Sequence, residues 1–473
     1  MKIKTIPLTA RQRLQTAPIG PLLFQFALPA ILAGLVGALY NIVDQIFIGH
    51  GVGVLGNAAT NVAFPLVTIC TALALLVGIG ATANFSLFLG KNELRKAGFT
   101  IGNGLSLLLL MSLVILVLVQ LFLKPIALAF GATPNVLPYA LTYLRITSLG
   151  IPFYMLQFGC SYLIRADASP RYSMLTLLSG AILNTILDPI FIFVLDMGIA
   201  GAAWATIMGQ ALATLFALYY FKHSFQSLRL RRVYFVLRWF IVKKMFALGI
   251  TPFISNLSMM LVQVTLNNAL VYYGSRSAYG ADIPLAVAGI IGKWEFIFMS
   301  IALGFVNGAQ PIIGYNYGAA CYDRVLATLK RVILAVGVIG GVAFLSFQFF
   351  PHTLISFFGG GTEAYYTFAI HYFRIFMFMI FTNVFQPVCG NFYSTIGKPV
   401  YGVIVTLSRR VLFLIPLLFV LPYFWGISGI LYAGPIADFV AALLVGWFLV
   451  RAVLHLQALR KKQYAKEQLA KNT

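Results

Sequence analysis

Acid is what this sequence lacks most: 11 Asp and Glu residues in a chain of 473, against 33 Lys and Arg. Charged residues of either sign amount to 9%, where an average soluble domain carries about 25%. So few charges cannot clothe a soluble surface of this size, which excludes a soluble enzyme and a disordered tail protein. Cysteine is scarce too. Cys70, Cys160, Cys321 and Cys389 lack CxxC or ligand spacing, which excludes a disulfide scaffold and leaves four expected free thiols. The five histidines are scattered, with no HExxH, no paired intramembrane aspartates on adjacent motifs and no GxS with a His partner. An intramembrane enzyme is excluded on that ground, and no cofactor is expected. A cleavable leader pattern is missing as well: Lys2, Lys4, Arg11 and Arg13 precede the first apolar run.

What is present is apolar surface. Hydrophobic residues make up 60% and aromatics 15%, with a mean hydropathy of +0.92. The bilayer is the expected solvent. Runs long enough to cross it fall at 22–48, 57–89, 100–123, 139–163, 172–195 and 201–221. A second set falls at 245–273, 284–314, 325–349, 367–394, 400–421 and 427–450. Loops on one side carry Lys91, Arg95, Lys96, Arg165, Arg171, Arg324 and Lys398, whereas the other side offers only Lys124 and Arg276. A net charge of +22 on a soluble protein would suggest nucleic acid; here it reports orientation, and no nucleic-acid partner is expected. Both termini are expected in the cytoplasm, of a multi-pass protein in the plasma (inner) membrane.

The reading divides the chain into a cytoplasmic tail (1–21), a six-helix lobe (22–221), a basic linker (222–244), a second six-helix lobe (245–450) and a basic tail (451–473). The linker stretch VYFVLRWFIVKK mixes aromatics with cations. It reads as an ordinary basic connection, with a short amphipathic helix on the inner leaflet as the alternative.

The halves repeat. Gly80-Ala81 and Gly90 recur 228 residues later as Gly308-Ala309 and Gly318. Tyr143-Leu-Arg145-Ile recurs as Tyr372-Phe-Arg374-Ile, and MGIAG at 197–201 as WGISG at 425–429. Each repeat holds an even number of crossings, so both enter the membrane in the same direction. The expected fold is all-α and integral to the membrane: twelve helices in two lobes, related by a pseudo-twofold along the membrane normal, with a pathway between them.

Three stretches carry a family resemblance: FALPAILAGLVGALYNIVDQIFIG in the first run, LNTILDPIFIF in the fifth, and NGAQPIIGYNYGA at 307–319. Together they closely resemble the multidrug and toxic compound extrusion (MATE) family over nearly the whole chain. The resemblance implies a V-shaped pair of lobes. It also implies a secondary antiporter that exports bulky, mostly cationic organic compounds in exchange for H⁺ or Na⁺. Its ion-coupling residues map to Asp44, Asn184 and Asp188, where Na⁺ would be the metal if one is used. Glu295 occupies the place of an acid that some branches use in the second lobe, and with Asn41 and Gln310 it is a candidate for substrate binding. An Asp that those branches carry in the tenth helix has no counterpart between Tyr372 and Ser394. A monomer is expected.

The residues themselves bear on each role. An ionisable side chain inside the bilayer costs at least about 2.5–3.5 kcal/mol, so each one calls for a reason. Asp44 has Asn41 one turn away and no cation on its face; the alternative is a solvated cap on the helix end. Asn184 and Asp188 stack at i, i+4, and Pro189 should bend the helix beside them, either as a site or as a plain kink. Glu295, near Trp294 and Phe298, suits an organic cation or an ion pair equally. Arg409 and Arg410 lie at the depth of Asp438 in the next run, which predicts a buried structural ion pair. Arg145 and Arg374, equivalent in the two repeats, read as structural.

Two alternatives fit the same hydropathy. A lipid-linked oligosaccharide flippase of the same superfamily would favour extra helices and a cationic cavity. A major-facilitator-type transporter would explain the basic loop GKNELRKAG at 90–98, but its counterpart GAACYDR lacks that pattern.

Overall fold

A computed structural model describes residues 13–280, 282–357 and 362–472, and the regular structure among them is all helical, without a strand. Lobe one contains α1 (Ile19–Gly51), α2 (Val54–Gly90) and α3 (Leu94–Leu121). It continues with α4 (Leu137–Leu149 and Ile151–Ala166, joined at Gly150), α5 (Pro170–Pro189, then a π turn Ile190–Val194) and α6 (Gly198–Tyr219). Lobe two contains α7 (Trp239–Gly274), α8 (Asp282–Gly318) and α9 (Tyr322–Phe349). In α10, the segments Glu363–Phe376 and Ile380–Thr395 meet at 48°. The chain from Pro399 to Asn472 is broken at Gly426, where φ is 55°, into α11 and α12. These are the twelve expected crossings, most of them longer than their apolar runs. Two differences stand out at the edges. The tail after 450 is not separate but continues α12, tied to the body by Arg460–Asp323 at 2.7 Å. Between α6 and α7 the linker forms no separate amphipathic helix: it holds a four-residue 3-10 turn, Arg232–Phe235, and its last residues, from Trp239, open α7.

The duplication extends to the backbone. Three pairs of left-handed residues stand at the repeat offset: Asn92 with Ala320, Ala168 with Gly397, and Gly198 with Gly426. Non-glycine residues in this region are uncommon, so matched turns at Asn92 and Ala320 mark one inherited connection. The carboxamides of Gln120 and Gln348 donate to the carbonyls of Arg145 and Arg374, at 2.9 and 3.0 Å. That is the structural use of the two symmetric arginine positions: their backbone, not their charge, ties neighbouring helices.

The lobes meet at the basic end, where the loops rich in Lys and Arg lie. A Cβ added to Gly249 of α7 would stand 1.8 Å from the Leu76 carbonyl of α2, and one on Gly80 would stand 2.1 Å from that of Met245. Gly90 and Gly318 face the Tyr315 and Leu87 carbonyls in the same way, and Gly304 and Gly308 of α8 rest on Ile31 and Ala27 of α1. Only glycine permits backbones this close. The segment before α1 crosses the same seam: Asn316 donates to the Leu14 carbonyl at 3.0 Å, and Arg324 to those of Leu14 and Ala17 at 3.1 and 2.7 Å. Towards the other end the contact stops. A Cβ on Gly34 would still meet Ser300, but one on Gly289 or Gly292 would meet no atom within 4 Å, and Leu39 and Leu261 are exposed. The cleft therefore opens away from the basic end.

Candidate ion-coupling site

Asp44 sits in the far half of α1, and Asp188 at the end of α5. Pro189 lacks a donor, and the chain answers by widening into the π turn rather than breaking, so Asp188 stays helical. That π turn is the buttress for α1: Gly51 packs on Ile192, and Phe47 meets Phe193 edge to face at 6.3 Å. The buttress brings the two carboxyls within hydrogen-bonding reach of each other. Asn184 donates to Asp188 at 3.2 Å and to Thr206 of α6 at 3.4 Å, and Thr206 donates to the Ala202 carbonyl at 2.9 Å.

The site is nearly sealed: Asp44 is 8% exposed, Asn184 2% and Asp188 0%. Asp44 Oδ1, Asn184 Oδ1 and Asp188 Oδ2 have no hydrogen-bond partner among the described residues. Among the described residues, no Lys or Arg acts on either carboxyl. Two carboxyls this close, with three idle oxygens around them, suit a shared proton or a small hard cation. Asp44, Asn184 and Asp188, expected at one place from the sequence, stand together in the structure. Thr206 was not expected there, nor were the phenols of Tyr40 and Tyr143, which lie beside Thr206 and within electrostatic reach of both acids. Tyr143 stands in the repeated YLRI motif, a signal that points to the helix but not to the site.

The candidate substrate residues are dispersed. Glu295 lies in lobe two, accepting from Asn383 at 3.4 Å and within electrostatic reach of Arg409, Arg410, Asp438 and Tyr372. Gln310, 2% exposed, is in the seam, where it donates to the Ile79 carbonyl at 3.4 Å. The side chain of Asn41 lies outside the described residues. The expected buried pair is present as Arg409–Asp438, while Arg410 turns to Ser255 of α7.

The family model MatE matches residues 29–190 and 254–420, one match in each lobe. The chain belongs to the MATE family. It is similar to the multidrug export protein MepA of Staphylococcus aureus, 26% identical over 433 residues that span 91% of this chain and 93% of MepA. MepA of Staphylococcus haemolyticus is 27% identical over 424 residues, 89% of this chain and 91% of its own. Among solved structures, the MATE multidrug transporter DinF-BH, in complex with a bound compound, superposes with a TM-score of 0.85 at 32% identity, covering 92% of this chain and 96% of that one. A MATE transporter in its bent conformation gives 0.87 at 21% identity, over 96% and 99% of the two chains. As a MATE transporter the chain is a multi-pass membrane protein, and the twelve helices in two lobes are that family's architecture.

Proposed function

We propose that this MATE transporter exports lipophilic, mostly cationic organic compounds in exchange for H⁺ or Na⁺ by alternating access. One observation carries the reading: the Asp44–Asp188 pair is buried in lobe one with idle oxygens and, among the described residues, no cationic partner. Around it stands a molecule closed at the basic end and parted at the other, so an ion arriving from the open side meets this pair. The MepA relatives are named for multidrug export, and DinF-BH is a multidrug transporter solved with a compound bound, which supports small organic substrates. Glu295 is the proposed contact for cationic groups, with Asn41 and Gln310 as further candidates; Gln310, buried in the seam, meets substrate only when the seam opens. The basic end is assigned to the cytoplasm of the plasma membrane, so the cleft faces outward, and the protein acts as a monomer without a cofactor. The lobe limits are 22–221 and 245–450.

One charge moving down 100 mV supplies about 2.3 kcal/mol, enough for roughly a fifty-fold gradient. Exchange of one proton for one monovalent cation would be electroneutral and draw only on the pH gradient. Efflux of a lipophilic cationic dye from proteoliposomes, under a Na⁺ gradient alone and then a pH gradient alone, tests the proposal. One of the two should drive transport; if neither does, antiport is wrong.

A further inference from the structure

The linker is held against α3 in a manner that leaves its apolar side chains outside. Gly98 and Gly102 form a groove in which a Cβ would stand 2.6 Å from the Tyr234 ring and 2.1 Å from its carbonyl. Asn103, 0% exposed, donates to the carbonyls of Tyr234 and Val236 at 3.0 and 2.9 Å and accepts from the Arg238 amide at 2.7 Å. Ser106 donates to the Phe235 carbonyl at 2.9 Å, and Arg238 lies over the Phe99 ring at 3.9 Å. Upstream, the Gln226 and Ser227 amides donate to buried Asp167, each at 2.7 Å. Backbone bonds thus fix the segment, and Phe235, Val236, Leu237, Trp239 and Phe240 point outward, with Trp239 at 74% exposure.

Cations surround this apolar face. Residues 222–244 contain seven Lys and Arg and no acid. Arg229, Arg231 and Arg232 are exposed, and no carboxylate pairs with them among the described residues. The feature stands at the end of the molecule where α6 leaves the membrane and α7 enters it. Aromatic residues beside unpaired guanidinium groups at that depth match an interface whose phosphates carry net negative charge.

We propose that residues 229–240 bind anionic phospholipids: headgroup phosphates meet Arg229, Arg231 and Arg232, while Trp239 and Phe240 enter the acyl region. The segment is fixed to lobe one and runs without a break into α7 of lobe two, so the bound lipid sits at the join between lobes.

The test uses the purified full chain exchanged into an equal mixture of phosphatidylglycerol and phosphatidylcholine, with retained lipid counted by native mass spectrometry. The wild type should retain phosphatidylglycerol preferentially, and the triple variant R229Q/R231Q/R232Q should lose that preference several-fold. Arg276→Gln, at the opposite end, should leave it unchanged, and excess inorganic phosphate should not displace the lipid. Quenching of tryptophan emission by brominated phosphatidylglycerol should fall in Trp239→Phe. Three results would each overturn the proposal: an unchanged preference in the triple variant, displacement by phosphate, or unchanged quenching in Trp239→Phe. The three arginines are exposed and unpaired, so folding, checked by gel filtration, should be unaffected.

Discussion

At Asp44 and Asp188, exchanging one carboxyl oxygen for an amide nitrogen removes the charge and keeps the shape. Asp44→Asn is expected to abolish ion-driven dye efflux with an unchanged gel-filtration profile, and Asp188→Asn to do nearly the same. Wild-type rates in both, under an imposed gradient, would dismiss the pair as the coupling site. Asp438 should behave oppositely. Its partner Arg409 is buried, so Asp438→Asn strands a guanidinium at a cost of about 3–5 kcal/mol. Yield and melting temperature should drop while the surviving protein still couples; a stable but uncoupled variant would reverse the assignment. Both sites were legible because an acid in an apolar run is rare and conspicuous. The Arg409–Asp438 partnership was readable from matched depth on consecutive helices. Thr206, Tyr40 and Tyr143 were not, since hydroxyl groups cross membranes often enough to carry no signal alone. Which pocket a side chain joins depends on how helices distant in sequence pack, as Gln310 in the seam shows.

Among the elements, the tie between the linker and lobe one is pH-sensitive. Asp167, in the turn after α4, accepts from Tyr220, Gln226 and Ser227, yet burial outweighs these bonds and pushes its carboxyl from the ordinary 3.8 up to about 6. Between those values the folded chain holds a proton that the unfolded chain has released, so stability should fall as pH rises from about 4 to 6. Asp167→Asn should flatten that part of the melting profile relative to wild type; matching profiles would exclude the titration. Helix positions followed from apolar runs, because the bilayer admits few other structures. The π turn after Pro189 and the docked linker did not follow. Proline announces a lost donor but not how the chain absorbs it, and the linker's aromatics look the same whether they form a helix or lie on one.

Across the whole molecule, the glycine seam decides which end is shut. Gly249→Val would drive a branched side chain into the Leu76 carbonyl and should favour parting at the basic end. A cysteine at Ser86, 1% exposed and facing Gly314, should then react with a soluble thiol reagent from that side, and protection equal to wild type would refute the seam's role. Cysteines at Leu39 and Leu261 should label from outside the cell, whereas labelling of 222–244 from outside would invert the topology. The repeat made two lobes readable; how they lean could not be read, because the same glycines permit contact without stating when it is made. The seam has a kinetic side as well. Glycine and backbone carbonyls have no rotamers to freeze, whereas a long side chain forfeits about 1.5–2 kcal/mol of conformational freedom on burial. Re-forming the glycine contacts therefore orders little beyond the lobes themselves, and the side chains that settle with them are few: Gln310, Asn316 and Arg324. Closure along the glycine line should be fast and carry a small side-chain entropy cost for so large an interface, leaving the turnover rate to be set by how quickly the ion and the substrate let go.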